Sequence, residues 1–188
     1  MLISAVNIFF SFRAGFILAD EQNSPLAGET GLNKSQKQAM IYRLDGLRLQ
    51  KSGNIEEALS FFQKAIEADP GLAAVYNDIG IIYETMDSPE LAEKAYLEAI
   101  KLDQEFAGSY ANLALFYESQ NQMDKAVFHW AKRAEMGLED DPWRKKAQDR
   151  YNELMESMPE LKDKQLEAEE AELRGKIIRA RKQQKQEE

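Results

Sequence analysis

The chain has no cysteine and a single histidine, His129, among its 188 residues. Without thiols there is no disulfide, no thiolate metal site, no cysteine nucleophile and no lipidated cysteine, and the redox compartment stays open. One imidazole builds neither a multi-histidine metal centre nor a Cys-His pair, so a Ser-His-Asp arrangement would have only His129 to use. Its position on a helix beside Trp130 reads as at or near the outer surface. Gly-rich phosphate loops and Gly-Lys-Ser or Gly-Lys-Thr motifs are also missing, and with them the usual nucleotide cradle. Lys and Arg number 24 against 33 Asp and Glu, and the resulting formal charge of -9 argues against nucleic acid as the main partner. A charged, solvated surface does not bring two of those acids together across a pocket, as glycoside hydrolysis needs. The expectation is a chain with no catalytic residues, no cofactor and no metal.

What is present is a period. Tyr42, Gly46, Leu49, Ala58, Phe62 and Ala65 are followed thirty-four residues later by Tyr76, Gly80, Tyr83, Ala92, Tyr96 and Ala99. After the same interval come Tyr110, Ala114, Tyr117, Ala126 and Trp130. Within each set the first three residues sit at i, i+4 and i+7, one face of a helix, and the last ones at i, i+4 and i+7 of a second. Small Ala positions let helices approach while the aromatic fills the space between them. Turn chemistry falls between: Ser52-Gly53-Asn54, then Asp87-Ser88-Pro89 with Ser88 as cap, and Asp69-Pro70-Gly71 after the second helix. A composition of 44% hydrophobic and 30% charged residues fits one such domain with appendages.

These residues resemble the tetratricopeptide repeat, over roughly 39 to 138. The resemblance implies an all-α, right-handed α-solenoid of antiparallel helix pairs, with repeats at about 39–72, 73–106 and 107–140. The third unit departs from the pattern, because Arg133 stands where a small residue is wanted and Gly137-Leu138 replaces Asp-Pro. Asp141-Pro142-Trp143 then starts a further helix, 142–157, whose Trp143, Ala147, Tyr151, Leu154 and Met155 form an amphipathic stripe. It is read as the C-terminal capping helix that closes the domain 39–158.

The resemblance also implies a function. Such stacks present their first helices along a concave groove, and the matching positions here are Arg43, Leu47, Gln50, Asn77, Ile81, Glu84, Ala111, Leu115 and Glu118. Taken as exposed, they make an aliphatic floor of Leu47, Ile81 and Leu115 with Glu84 and Glu118 on one rim. That surface suits a protein or peptide segment, amphipathic and carrying some basic residues. The reading is therefore a non-catalytic interaction scaffold or adaptor. Repeats that clamp the carboxylate end of chaperone tails carry Lys and Asn at set groove positions. Here those places hold Arg43, Leu47 and Asp78, which spoils the clamp, since an aliphatic group donates nothing and an acid repels the ligand.

The ends differ from the middle. Residues 1–19 hold ten Leu, Ile, Val or Phe residues and one charge, Arg13, before Asp20-Glu21. They read as an export signal, with an uncleaved membrane anchor and a helix packed on the first repeat as alternatives. The expected location is accordingly exported or membrane-anchored, with the cytoplasm as alternative. Residues 20–38 read as a flexible linker. The segment 159–188 reads as a charged helical tail, acidic to Glu172 and basic from Arg174. An alternative function follows from these ends: a membrane-anchored spacer or assembly factor whose tail engages the partner or self-associates.

Overall fold

The computed structural model describes residues 31–164 and 174–176, and among them helices are present and strands are not. The helices include α1 (Lys34–Lys51), α2 (Ile55–Ala68), α3 (Ala73–Thr85), α4 (Pro89–Leu102), α5 (Ala107–Ser119), α6 (Met123–Glu135) and α7 (Pro142–Ser157), and residues 159–164 and 174–176 are helical as well. The apolar segment 1–19, most of the expected linker and most of the tail beyond 164 lie outside the described residues. Two compact units divide the chain, Met1–Ser109 and Tyr110–Glu188.

In the first unit α1 packs on α2, α2 on α3 and α3 on α4. Ala58, Phe62, Ala65, Val75, Ile79, Ile82 and Ala95 form one core cluster, against which Tyr42, Leu47 and Leu49 of α1 pack. The close approach is made by glycine facing an aromatic ring. A methyl group on Gly46 would stand 2.6 Å from a carbon of the Phe62 ring, and one on Gly80 would collide with the Tyr96 ring. Both rings are fully buried, so there is no space to turn them aside. In the second unit Ala114 and Trp130 occupy the corresponding places and are buried as well, while α6 packs on α7.

The thirty-four-residue interval recurs in the turns. Gly53, Asp87 and Asn121 all take positive φ, at 83°, 53° and 55°, the left-handed conformation that Gly, Asp and Asn tolerate best. Across each turn an N–H reaches back five residues: Asn54 to the Leu49 carbonyl, Ser88 to Tyr83 and Gln122 to Tyr117, at 2.9, 2.9 and 2.8 Å. That bond satisfies a carbonyl at the helix end and reverses the chain for the next helix.

Helix starts depart from expectation at two places. The first begins at Lys34, five residues before the boundary read from the sequence, because Asn33 caps it. The Asn33 side chain accepts from the Gln36 N–H, and Gln36 Oε1 accepts from the Asn33 N–H, both at 3.0 Å. Ser88 makes no side-chain cap; its hydroxyl donates instead to the Met86 carbonyl at 3.4 Å. Pro89 at the first position and the Ser88 backbone carbonyl suffice to start α4.

Candidate functional site

Each unit carries part of the row expected to bind. In the first, α1 contributes Arg43, Leu47 and Gln50 and α3, which it touches, contributes Asn77, Ile81 and Glu84. Leu47, Gln50, Arg43 and Glu84 are half-buried, whereas Asn77 and Ile81 are buried. Arg43 is committed to a partner of its own: its Nε donates to Asp78 Oδ2 at 2.6 Å. Asp78 is itself buried on α3, so the cation neutralises an acid that the fold has taken from water. Glu84 accepts a hydrogen bond from the Tyr96 hydroxyl at 2.5 Å. The rim of this row is thereby held rigid, and Leu47 is its most accessible apolar group.

In the second unit Ala111, Leu115 and Glu118 lie on α5, and all three are buried. The expected exposure of the row is corrected for these three and for Asn77 and Ile81. Position around a single helix does not tell which of its faces the rest of the fold covers. Glu118 occupies the place of Glu84 one interval later, and Trp130 that of Tyr96. Trp130 Nε1 donates to Glu118 Oε1 at 2.6 Å, and Arg150 of α7 donates from Nε at 3.0 and 3.2 Å and again from Nη2. The bond to Glu118, joined by Glu153, raises the Arg150 guanidinium further above its ordinary value. The closing helix is thus tied to α5 through a buried carboxylate.

His129, which the sequence placed at or near the outer surface, is inside, and Arg133, the departure from the repeat pattern, is buried as well. His129 is 8% exposed, stacked on Tyr117 at 5.4 Å between centroids, with Tyr110 at 6.0 Å and Phe128 edge-on at 5.1 Å. Burial, helped by the Lys125 charge, lowers its pKa to about 4. Its surroundings are rings, and Nδ1 is buried without a hydrogen-bond partner among the described residues, which is the environment of a packed imidazole. Arg133, also buried, donates from Nη2 to Asp141 Oδ2 at 2.7 Å, while the Trp143 N–H donates to Asp141 Oδ1 at 2.9 Å. Burial alone would raise the Asp141 carboxyl, but these bonds hold it below its ordinary value. An arginine where the pattern wants a small residue therefore serves to seat the cap of α7.

The buried histidine makes stability depend on pH. Its folded pKa lies below the unfolded value of 6.5, so the unfolded chain binds the extra proton and stability falls as pH drops from 6.5 toward 4. Between pH 7 and pH 5 this costs about 2 kcal/mol. Urea unfolding at both values should show a loss in the native chain that is largely absent in His129→Leu.

Among the described residues no group of three His, Cys, Asp or Glu is placed to hold a metal ion. None of the described helices is long and apolar enough to cross a membrane. Tetratricopeptide repeat family models match residues 46–72, 73–106 and 95–128. No curated protein matches the chain. Among solved structures the chain is similar to the first TPR of Spaghetti (RPAP3) bound to the HSP90 peptide SRMEEVD, at 15% identity and TM-score 0.58, over 66% of this chain and 98% of that one. It is similar to the N-terminal domain of STI-1 from C. elegans at 20% identity and TM-score 0.56, over 65% and 98%. The PilF protein of Pseudomonas aeruginosa gives 22% identity and TM-score 0.60, over 68% of this chain and 56% of that chain. At these identities the likeness is one of fold.

Proposed function

We propose that this chain, a tetratricopeptide-repeat protein, is a non-catalytic interaction scaffold that receives a peptide or protein segment on the first-helix row of its first unit. The observation that carries the reading is the accessible part of the row in the first unit: apolar Leu47 beside Gln50, with the Glu84 carboxylate on the helix that α1 touches. An apolar anchor and a basic side chain spaced to meet Leu47 and Glu84 are what such a ligand would carry. The row of the second unit, Ala111, Leu115 and Glu118, enters the proposal only as support, since it is buried and Glu118 already holds Trp130 and Arg150.

The RPAP3 structure holds an HSP90 peptide, but a terminal carboxylate is not the ligand proposed here. Arg43 already holds Asp78, Leu47 offers no donor, and a second acid brought to Arg43 would meet Asp78. The test is selection of peptides on the full chain, followed by titration against Leu47→Ala. Selected peptides should combine an apolar anchor with Lys or Arg and weaken about tenfold in the variant, the loss of one buried aliphatic contact. Peptides whose affinity is unchanged in Leu47→Ala and Gln50→Ala would refute the placement.

A further inference from the structure

The outer face of α1 carries a pattern that peptide binding does not use. Lys34, Lys37, Ile41, Leu44, Arg48 and Lys51 recur at alternating steps of three and four residues, which aligns them along one side of the helix. All six are exposed, with Ile41 at 51% and Leu44 at 38%. The opposite side carries the buried Ala39 and Gly46 and the core contacts of Tyr42 and Leu49. Two apolar side chains thus sit in the middle of the stripe with two cations at either end.

The charge of this helix contradicts that of the chain. α1 holds five basic residues against one acid, Asp45, in a protein of formal charge -9. Asp45 is paired with Arg48 at 2.8 Å on the surface, where such a pair is weak and exchangeable. A helix face turned to water ordinarily needs only polar residues to stay soluble. A central apolar pair flanked by Lys and Arg is the pattern of a helix that rests in a lipid interface. The aliphatic groups enter the headgroup boundary, the long basic stems reach along it, and the cations meet anionic headgroups.

Chain geometry agrees. Residues 20–33 separate the apolar run 1–19 from α1, a span of at most about 50 Å. If that run is held at a bilayer, α1 is within reach of the same surface. We propose that the outer stripe of α1 docks on a phospholipid bilayer bearing anionic headgroups.

The test is flotation of the full chain with vesicles of phosphatidylcholine alone and of phosphatidylcholine mixed with phosphatidylserine. The native chain should prefer the mixed vesicles and lose that preference as salt is raised. Lys34→Ala/Lys37→Ala/Lys51→Ala should weaken binding to mixed vesicles about a hundredfold, about fivefold for each lysine, and leave binding to phosphatidylcholine alone unchanged. Ile41→Gln/Leu44→Gln, also at exposed positions, should weaken it as well, with helicity unchanged by circular dichroism. Equal binding of native and triple-variant chains to mixed vesicles would overturn the proposal and leave any lipid binding to residues 1–19. A native chain with no preference for phosphatidylserine would overturn it too and turn the stripe toward an acidic protein.

Discussion

Tyr96→Ala is expected to destabilise the chain by about 4 kcal/mol, the cost of emptying a fully packed aromatic site. The ring is wholly buried, fills the space that Gly80 leaves on the facing helix, and donates its hydroxyl to Glu84. Its pairing with glycine gives the prediction a second, sharper part. In the native chain Gly80→Ala drives a methyl into the ring and should cost about 2 kcal/mol, overpacking outweighing the gain in helix propensity. In the Tyr96→Ala background the same methyl enters a cavity, and the change should become stabilising by about 1 kcal/mol. Urea unfolding of the four proteins measures this change of sign. A Gly80→Ala effect that is the same in both backgrounds would show that the ring and the glycine do not meet.

Glu118→Ala should cost about 3 kcal/mol, because removing one member of a buried ion pair leaves its partners unsatisfied. The side chain of Glu118 is 4% exposed and that of Arg150 30%, so Arg150 can recover some water and the low end of the range applies. Trp130 Nε1 has no such recourse, being buried with its ring. Glu118→Gln should recover part of the loss, since an amide oxygen still accepts from the indole. The double variant Glu118→Leu/Arg150→Leu should cost less than the sum of the single changes. Thermal unfolding is the readout, with Glu118→Ala lowering the midpoint by roughly 10 °C for a chain of this size. Additive single effects would mean that α7 is held by its apolar contacts, Ala147 and Leu154, and not by the carboxylate.

Most of the fold was legible because the repeat writes each local requirement several times. Gly46 and Gly80 before Phe62 and Tyr96, and Gly53 and Asp87 at the turns, are each a steric demand repeated at one interval, which the structure extends to Asn121. Features that occur once were harder to read. The burial of Arg133 depends on Asp141, which reaches it from a loop eight residues on, and no helical periodicity encodes that contact. His129 belongs to a cluster of rings from α5 and α6 that only folding assembles. The polar run ending in Asn33 reads as linker until Gln36 is seen to return its hydrogen bond. The binding row was legible as positions but not as surface: Asn77, Ile81, Ala111, Leu115 and Glu118 are buried, and Leu47, Gln50, Arg43 and Glu84 keep partial access.

That partial access concentrates the functional claim on α1 and α3. The most direct test is amide hydrogen exchange of the full chain with and without a selected peptide of the apolar-plus-basic kind. The account predicts that protection rises in α1 and α3 around Leu47 and Glu84 and stays unchanged on the exposed side of α2 about Ser60, Gln63 and Lys64. Protection confined to α2, or to the residues beyond Pro159 with α1 and α3 unaffected, would contradict it.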